Sequence, residues 1–181
     1  MERKFYFMKK LFFLSAALLS LGSCFAQKID FDKKLKELNI ELFTPGKPIA
    51  NYVKVVRTGN LLYLSGHGPT KADGTNIIGK VGKDLTIEQG YDAARQTGIS
   101  LLSTLKSEIG DLNKVKRIVK VLGMVNCTET FGDQPKVING FSDLMVAVFG
   151  EKGKHARSAV GMYALPMGMA VEIEIIVELE N

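Results

Sequence analysis

The chain has 181 residues, enough for one globular domain, and its 46 % apolar and 24 % charged residues exclude a disordered polypeptide. Most of the formal charge of +5 sits at the N-terminus, where residues 1–26 hold Arg3, Lys4, Lys9 and Lys10 against Glu2; 20 basic and 18 acidic residues remain. So small an excess gives no electrostatic case for a nucleic-acid partner.

Residues 1–26 have the pattern of a secretion signal. Lys9 and Lys10 form a basic n-region, and Leu11 to Leu21 form an apolar stretch about half as long as the ~20 residues a membrane span needs. Met8-Lys9-Lys10 would itself make an ordinary start. Two processing chemistries stay open: cleavage after Ala26, or lipidation of Cys24 in the lipobox-like Leu21-Gly22-Ser23-Cys24. Either one predicts an exported protein, periplasmic or secreted. Cys127 is then the one cysteine beyond the signal and cannot form an internal disulfide. His67 and His155 are the only histidines, and no Cys/His cluster has metal-ligand spacing.

Residues 27–50 form a polar lead-in. Phe31, Leu35, Leu38 and Leu42 recur at helical steps, and Thr44-Pro45-Gly46-Lys47-Pro48 breaks the pattern. The domain proper is expected over residues 51–181. Tyr52 to Arg57 and Asn60 to Ser65 are β-rich runs around Thr58-Gly59, a hairpin signal. Ser65-Gly66-His67-Gly68-Pro69 closes the second run, and a short strand is expected at Ile77-Ile78.

Thr86-Ile87-Glu88-Gln89 fits a capping box. The helix it opens carries Tyr91, Ala94, Gly98, Leu101, Leu105 and Ile109 on one face and stops at Gly110. Its small residues Ala93, Ala94 and Gly98 suit close packing onto a sheet. Val115 to Val125 is a strand, apolar on both faces from Ile118 onward, as central strands and subunit contacts are. Pro135 starts a second helix with a buried stripe from Val137 to Phe149. Two closing strands follow, joined at Leu165-Pro166-Met167-Gly168 and read as a hairpin. Arg157 opens the first, and Glu172 sits on the outward-facing side of the second with Glu174 and Glu178. The elements predict an α+β two-layer sandwich: a mixed sheet with two helices packed on one face. The other face carries too many apolar side chains to stay wet, which predicts an oligomer.

From about Asn51 onward the chain resembles the RidA/YjgF/UK114 family, also known as endoribonuclease L-PSP. The matching pieces are Tyr52 with Gly59-Asn60, Ser65-Gly66, Asn139, Ala156-Arg157-Ser158-Ala159-Val160, Leu165-Pro166 and Val171-Glu172-Ile173-Glu174. The resemblance implies a chorismate-mutase-like fold, a homotrimer with three ligand clefts between subunits, and often 2-iminoacid or enamine deaminase activity without a cofactor. Arg157 would grip the substrate carboxylate and Glu172 would position or activate water. Tyr52, Ser65 and Gly66 would line the cleft with Asn139. His67 replaces the usual glutamine after Ser-Gly, His155 replaces a common proline, and Ala159 stands where a cysteine is frequent.

Bland readings stand beside these. An arginine at a strand start is commonly a surface ion pair, and Glu172 could belong to a solvated glutamate face. His67 could be a general base or a turn residue bonded to backbone. The leading expectation is hydrolysis of 2-imino or enamine acids to keto acids and ammonia. The alternative is a non-catalytic trimer that binds a small carboxylate.

Overall fold

The computed structural model describes residues 29–48 and 50–181. The signal segment, with Lys9, Lys10, Cys24 and the Ala26 cleavage point, lies outside the described residues. Among the described residues, no helix is long and apolar enough to cross a membrane.

Among the described residues, five strands form one sheet: β1 (Val55–Thr58), β2 (Leu61–His67), β3 (Val115–Asn126), β4 (Ala156–Met162) and β5 (Val171–Leu179). Their order across the sheet is β1-β2-β5-β3-β4, and only β3 and β4 run parallel. β1 and β2 form the expected hairpin, with Gly59 at φ 58° in the turn. Near Ile77-Ile78 there is no full strand; Ile78 makes a single bridge to Met169.

The closing strands are not a hairpin. β3 lies between them, pairing with β4 on one edge and β5 on the other. The expectation failed because a short join fixes only how far two strands can separate. Here residues 163–170 carry the chain across the end of β3. Met167 and Gly168 take left-handed conformations in that crossing, and the Gly79 N–H donates to Gly168 O at 2.9 Å. The gain is that β3, apolar on both faces, has both edges paired.

Helices α2 (Ile87–Ile109) and α3 (Gln134–Phe149) cover one face of this sheet. The capping box is present: Gln89 N–H donates to Thr86 Oγ1 at 3.2 Å, and Thr86 N–H donates to Gln89 Oε1 at 2.9 Å. Gly110 ends the helix at φ 77°. Gly98 serves helix-to-helix packing and not the sheet contact expected, since a Cβ there would come within 2.7 Å of Leu144. A third helix, α1 (Phe31–Glu37), packs over α3 with the Phe31 and Phe149 rings 5.5 Å apart. The core runs between helices and sheet through Leu101, Leu105, Ile118, Ile138, Phe141 and Ile173. Val171, Ile173, Ile175, Val177 and Leu179 all point into it, as the alternation in β5 requires.

Among the described residues, nothing covers the opposite face. Val56, Tyr63, Leu122, Met124, Val160 and Ile176 lie on it partly or largely exposed.

Candidate active site

Two groups of the expected site residues come together, and the fold keeps the groups apart. The first surrounds Arg157. Val121 of β3 pairs with both Arg157 and Ile175, so the arginine leaves the helix-bearing face at the β4 edge. Its Nη1 donates to Asn139 Oδ1 and to Ser142 Oγ, both at 2.9 Å, on consecutive turns of α3. No other nitrogen of this guanidinium is engaged among the described residues. Arg157 is half-buried and Asn139 is exposed, so the notch between α3 and β4 opens to solvent.

The second group lies on the uncovered face. Glu172 pairs with Met124, three positions beyond Val121, and so points away from the helices. Two strand spacings and three residues of rise place the Arg157 and Glu172 Cα atoms about 14 Å apart. The carboxylate of Glu172 lies directly over the backbone of Gly66, where any Cβ would strike Oε1. The β2–β5 register shifts at Ser65 and Gly66, a bulge that brings the backbone toward the carboxylate. Burial, and then the neighbouring charge of Glu174, raise the Glu172 pKa above its ordinary 4.5.

Ser65 Oγ is buried without a hydrogen-bond partner. A buried hydroxyl left unpaired costs roughly 1–3 kcal/mol, which makes Ser65 a candidate for contact with a ligand or a neighbouring chain. Ser65 also lines a groove of about 340 Å³ on the uncovered face with Val53, Val56, Tyr63, Lys120 and Glu174. Tyr52, 48 % exposed, sits in the bend before β1, its N–H donating to Ala50 O. It has no described hydrogen bond to any other expected site residue.

The histidines divide. His67 is a strand residue buried against α2, its Nδ1 2.7 Å from Ser65 O and its Nε2 2.9 Å from Thr104 Oγ1. Both ring nitrogens are occupied and burial lowers its pKa below 6.5, so it holds the bulge in place as a neutral ring. His155 instead touches the arginine group through Ser142 at 3.1 Å. Ser142 was missed as a site residue. Its spacing of three from Asn139 puts it on the same helix face, which is the signal that could have found it. Among the described residues no cluster of His, Cys, Asp and Glu could hold a metal ion.

Comparison with known proteins identifies the family and the fold. The family described as "YjgF/chorismate_mutase-like, putative endoribonuclease" matches residues 32–179. Protein TCP17 of Trypanosoma cruzi is 43 % identical over 148 residues, covering 81 % of this chain and 92 % of that protein. A solved structure from Agrobacterium tumefaciens, of unknown function, is 41 % identical with a TM-score of 0.76, covering 83 % of this chain and 94 % of its own. A Shewanella oneidensis structure described as "a putative endoribonuclease" is 28 % identical with a TM-score of 0.79, covering 82 % of this chain and 99 % of its own. The five-stranded α+β fold is therefore the chorismate-mutase-like one, and the chain belongs to the YjgF family.

Proposed function

We propose that this protein hydrolyses reactive 2-imino and enamine acids to keto acids and ammonia, in clefts between the copies of a homotrimer. The observation that carries the reading is the presentation of Arg157. Asn139 and Ser142 hold Nη1 and leave Nε and Nη2 unengaged, and that edge pairs with a carboxylate through two parallel bonds. A protonated imine carbon is already electrophilic, so the protein has to orient it and deliver water. Glu172, with its raised pKa, is the base for that water, and Ser65 and Gly66 form the wall beside it. Tyr52 lines the mouth.

Arg157 and Glu172 of one chain cannot reach one small molecule, because they leave opposite faces about 14 Å apart. A cleft using both is built from two copies, and the uncovered apolar face supports that assembly. Ammonia or keto-acid release from an imino acid generated in situ by an amino-acid oxidase tests the reading. No acceleration over the spontaneous rate would overturn it.

A second reading is a trimer that binds small carboxylates without turnover. It is favoured by the one-chain completeness of the Arg157 notch, which needs no base. Ribonuclease chemistry, carried by the family's description, has little net charge behind it: 20 basic residues stand against 18 acidic ones beyond residue 26. The basic n-region and apolar stretch support an exported protein that starts at Gln27 or at lipidated Cys24. Intact-mass analysis of protein made in a bacterial host distinguishes the two, and a soluble cytoplasmic pool retaining residues 8–26 would overturn export.

A further inference from the structure

Asn139 is not the only group that holds Arg157. Ser142 Oγ accepts from Arg157 Nη1 at 2.9 Å and lies 3.1 Å from His155 Nε2, while His155 Nδ1 lies 2.7 Å from Gly153 O. A carbonyl can only accept, so Nδ1 carries the proton of the neutral ring and Nε2 is an acceptor. The Ser142 hydroxyl then turns its proton to Nε2 and its lone pair to the guanidinium. The imidazole is wedged edge-on against Phe141, ring centres 5.8 Å apart. Each group is therefore oriented by the next, from backbone to histidine to serine to arginine.

We propose that Ser142 and His155 are positioning residues for Arg157: together they set which edge of the guanidinium faces the ligand, and the charge on His155 tunes how tightly a small carboxylate is held. This rests on the carboxylate-gripping reading of Arg157. When His155 takes up a proton, Nε2 becomes a donor. The Ser142 oxygen then accepts from both His155 and Arg157, and its own proton turns toward the site. The bound carboxylate gains a hydroxyl donor and a nearby positive charge. Affinity therefore rises as pH falls through the His155 pKa.

The surroundings leave His155 coupled chiefly to Arg157. Burial first, and then the Arg157 charge, hold its pKa below 6.5 against the pull of the Gly153 carbonyl. On α3, Asp143 accepts from the Tyr91 hydroxyl. Before β4, Lys152 pairs with Glu180 and Lys154 with Glu151. On β3, Lys120 donates to Ser158. A carboxylate at Arg157 offsets the one charge that opposes protonation of His155, so ligand binding raises the His155 pKa.

The test is a pyruvate titration of the full chain from about pH 8 to about pH 5.5, with nitrogen NMR of the His155 ring. Wild type should bind roughly three- to tenfold more tightly at the acid end. His155 should titrate as the Nδ1–H tautomer, with a pKa that rises on adding pyruvate and in Arg157→Ala. Ser142→Ala and His155→Ala should each weaken binding roughly three- to tenfold at about pH 8. His155→Gln, whose amide oxygen accepts from Ser142, should recover most of that loss but none of the pH response. A flat profile in wild type, an Nε2–H tautomer, or unchanged affinity in both alanine variants overturns the relay while leaving the carboxylate reading in place. Absence of any pyruvate binding overturns the carboxylate reading, and the tuning falls with it.

Discussion

Arg157 and Glu172 leave opposite faces of the same sheet, the first held by α3 and the second resting on the Gly66 backbone. The two halves of the proposed chemistry are thus separable by mutation. Arg157→Ala should remove a charge-assisted two-bond contact. Truncating one partner of such a pair costs about 2–5 kcal/mol, or roughly 30- to several-thousand-fold in kcat/KM. Arg157→Lys should recover only part of this, because an ammonium lacks the fork. Steady-state kinetics with an in-situ imino acid, alongside pyruvate binding, measures both.

Glu172→Gln should lower kcat while carboxylate binding survives, since shape is kept and the base is lost. The pH profile follows from the same group. A base works ionised, and burial with the Glu174 charge raises its pKa. Activity should therefore fall on acidification, with a midpoint above the ordinary glutamate value of 4.5. A midpoint at or below that value would remove Glu172 as the base.

Gly66→Ala is the third expectation. The new methyl would meet the far end of a flexible side chain, so the fold can absorb it by moving the Glu172 carboxylate. Thermal stability should drop by no more than about 1–3 kcal/mol. Turnover should fall as in Glu172→Gln. A variant with full turnover would show that the carboxylate need not sit over Gly66.

Light scattering should report a trimer. The apolar side chains Val56, Tyr63, Leu122 and Met124, on a face that no described residue covers, motivate that expectation. Leu122→Lys should dissociate it and abolish turnover, while the pyruvate contact at Arg157 persists in the monomer. A stable wild-type monomer at micromolar concentration would remove the two-copy cleft.

His67 makes stability depend on pH. Its folded pKa is depressed by burial, whereas the unfolded chain titrates near 6.5. The unfolded state thus binds more protons between those values. The contribution of the neutral ring is full above about 6.5 and is lost as pH falls from there toward the lowered folded value. Denaturant midpoints should decline over that window in wild type and decline less in His67→Gln.

Much of the architecture is legible in local pattern. The Thr86–Gln89 box and the Gly110 stop specify the bounds of a helix, and the alternation from Val171 to Leu179, broken only at Ile176, specifies a strand and the face it buries. Alternation does not name the neighbouring strand, so the insertion of β3 between β4 and β5 left no trace in it. The same gap hid the arginine group. Ser142 lies on α3 and His155 just before β4, and only the packing of α3 over the start of β4 brings Ser142 to both His155 and Arg157. Gly66 against Glu172 was readable in kind, as a glycine beside a ligand position. Its partner became visible only with the β2–β5 pairing.

The insertion of β5 also governs how the molecule comes into being. Of the five strands it is synthesised last, yet it lies in the middle, with Leu61 of β2 facing Glu178 on one side and Val125 of β3 facing Val171 on the other. Until it emerges, the β1–β2 hairpin and the β3–β4 pair are two half-sheets with open edges and no common hydrogen-bonding partner. Closing them means joining segments at opposite ends of the domain, a slow step that no local nucleus can replace. The nascent chain therefore stays unfinished and open to handling by other factors until the keystone strand arrives.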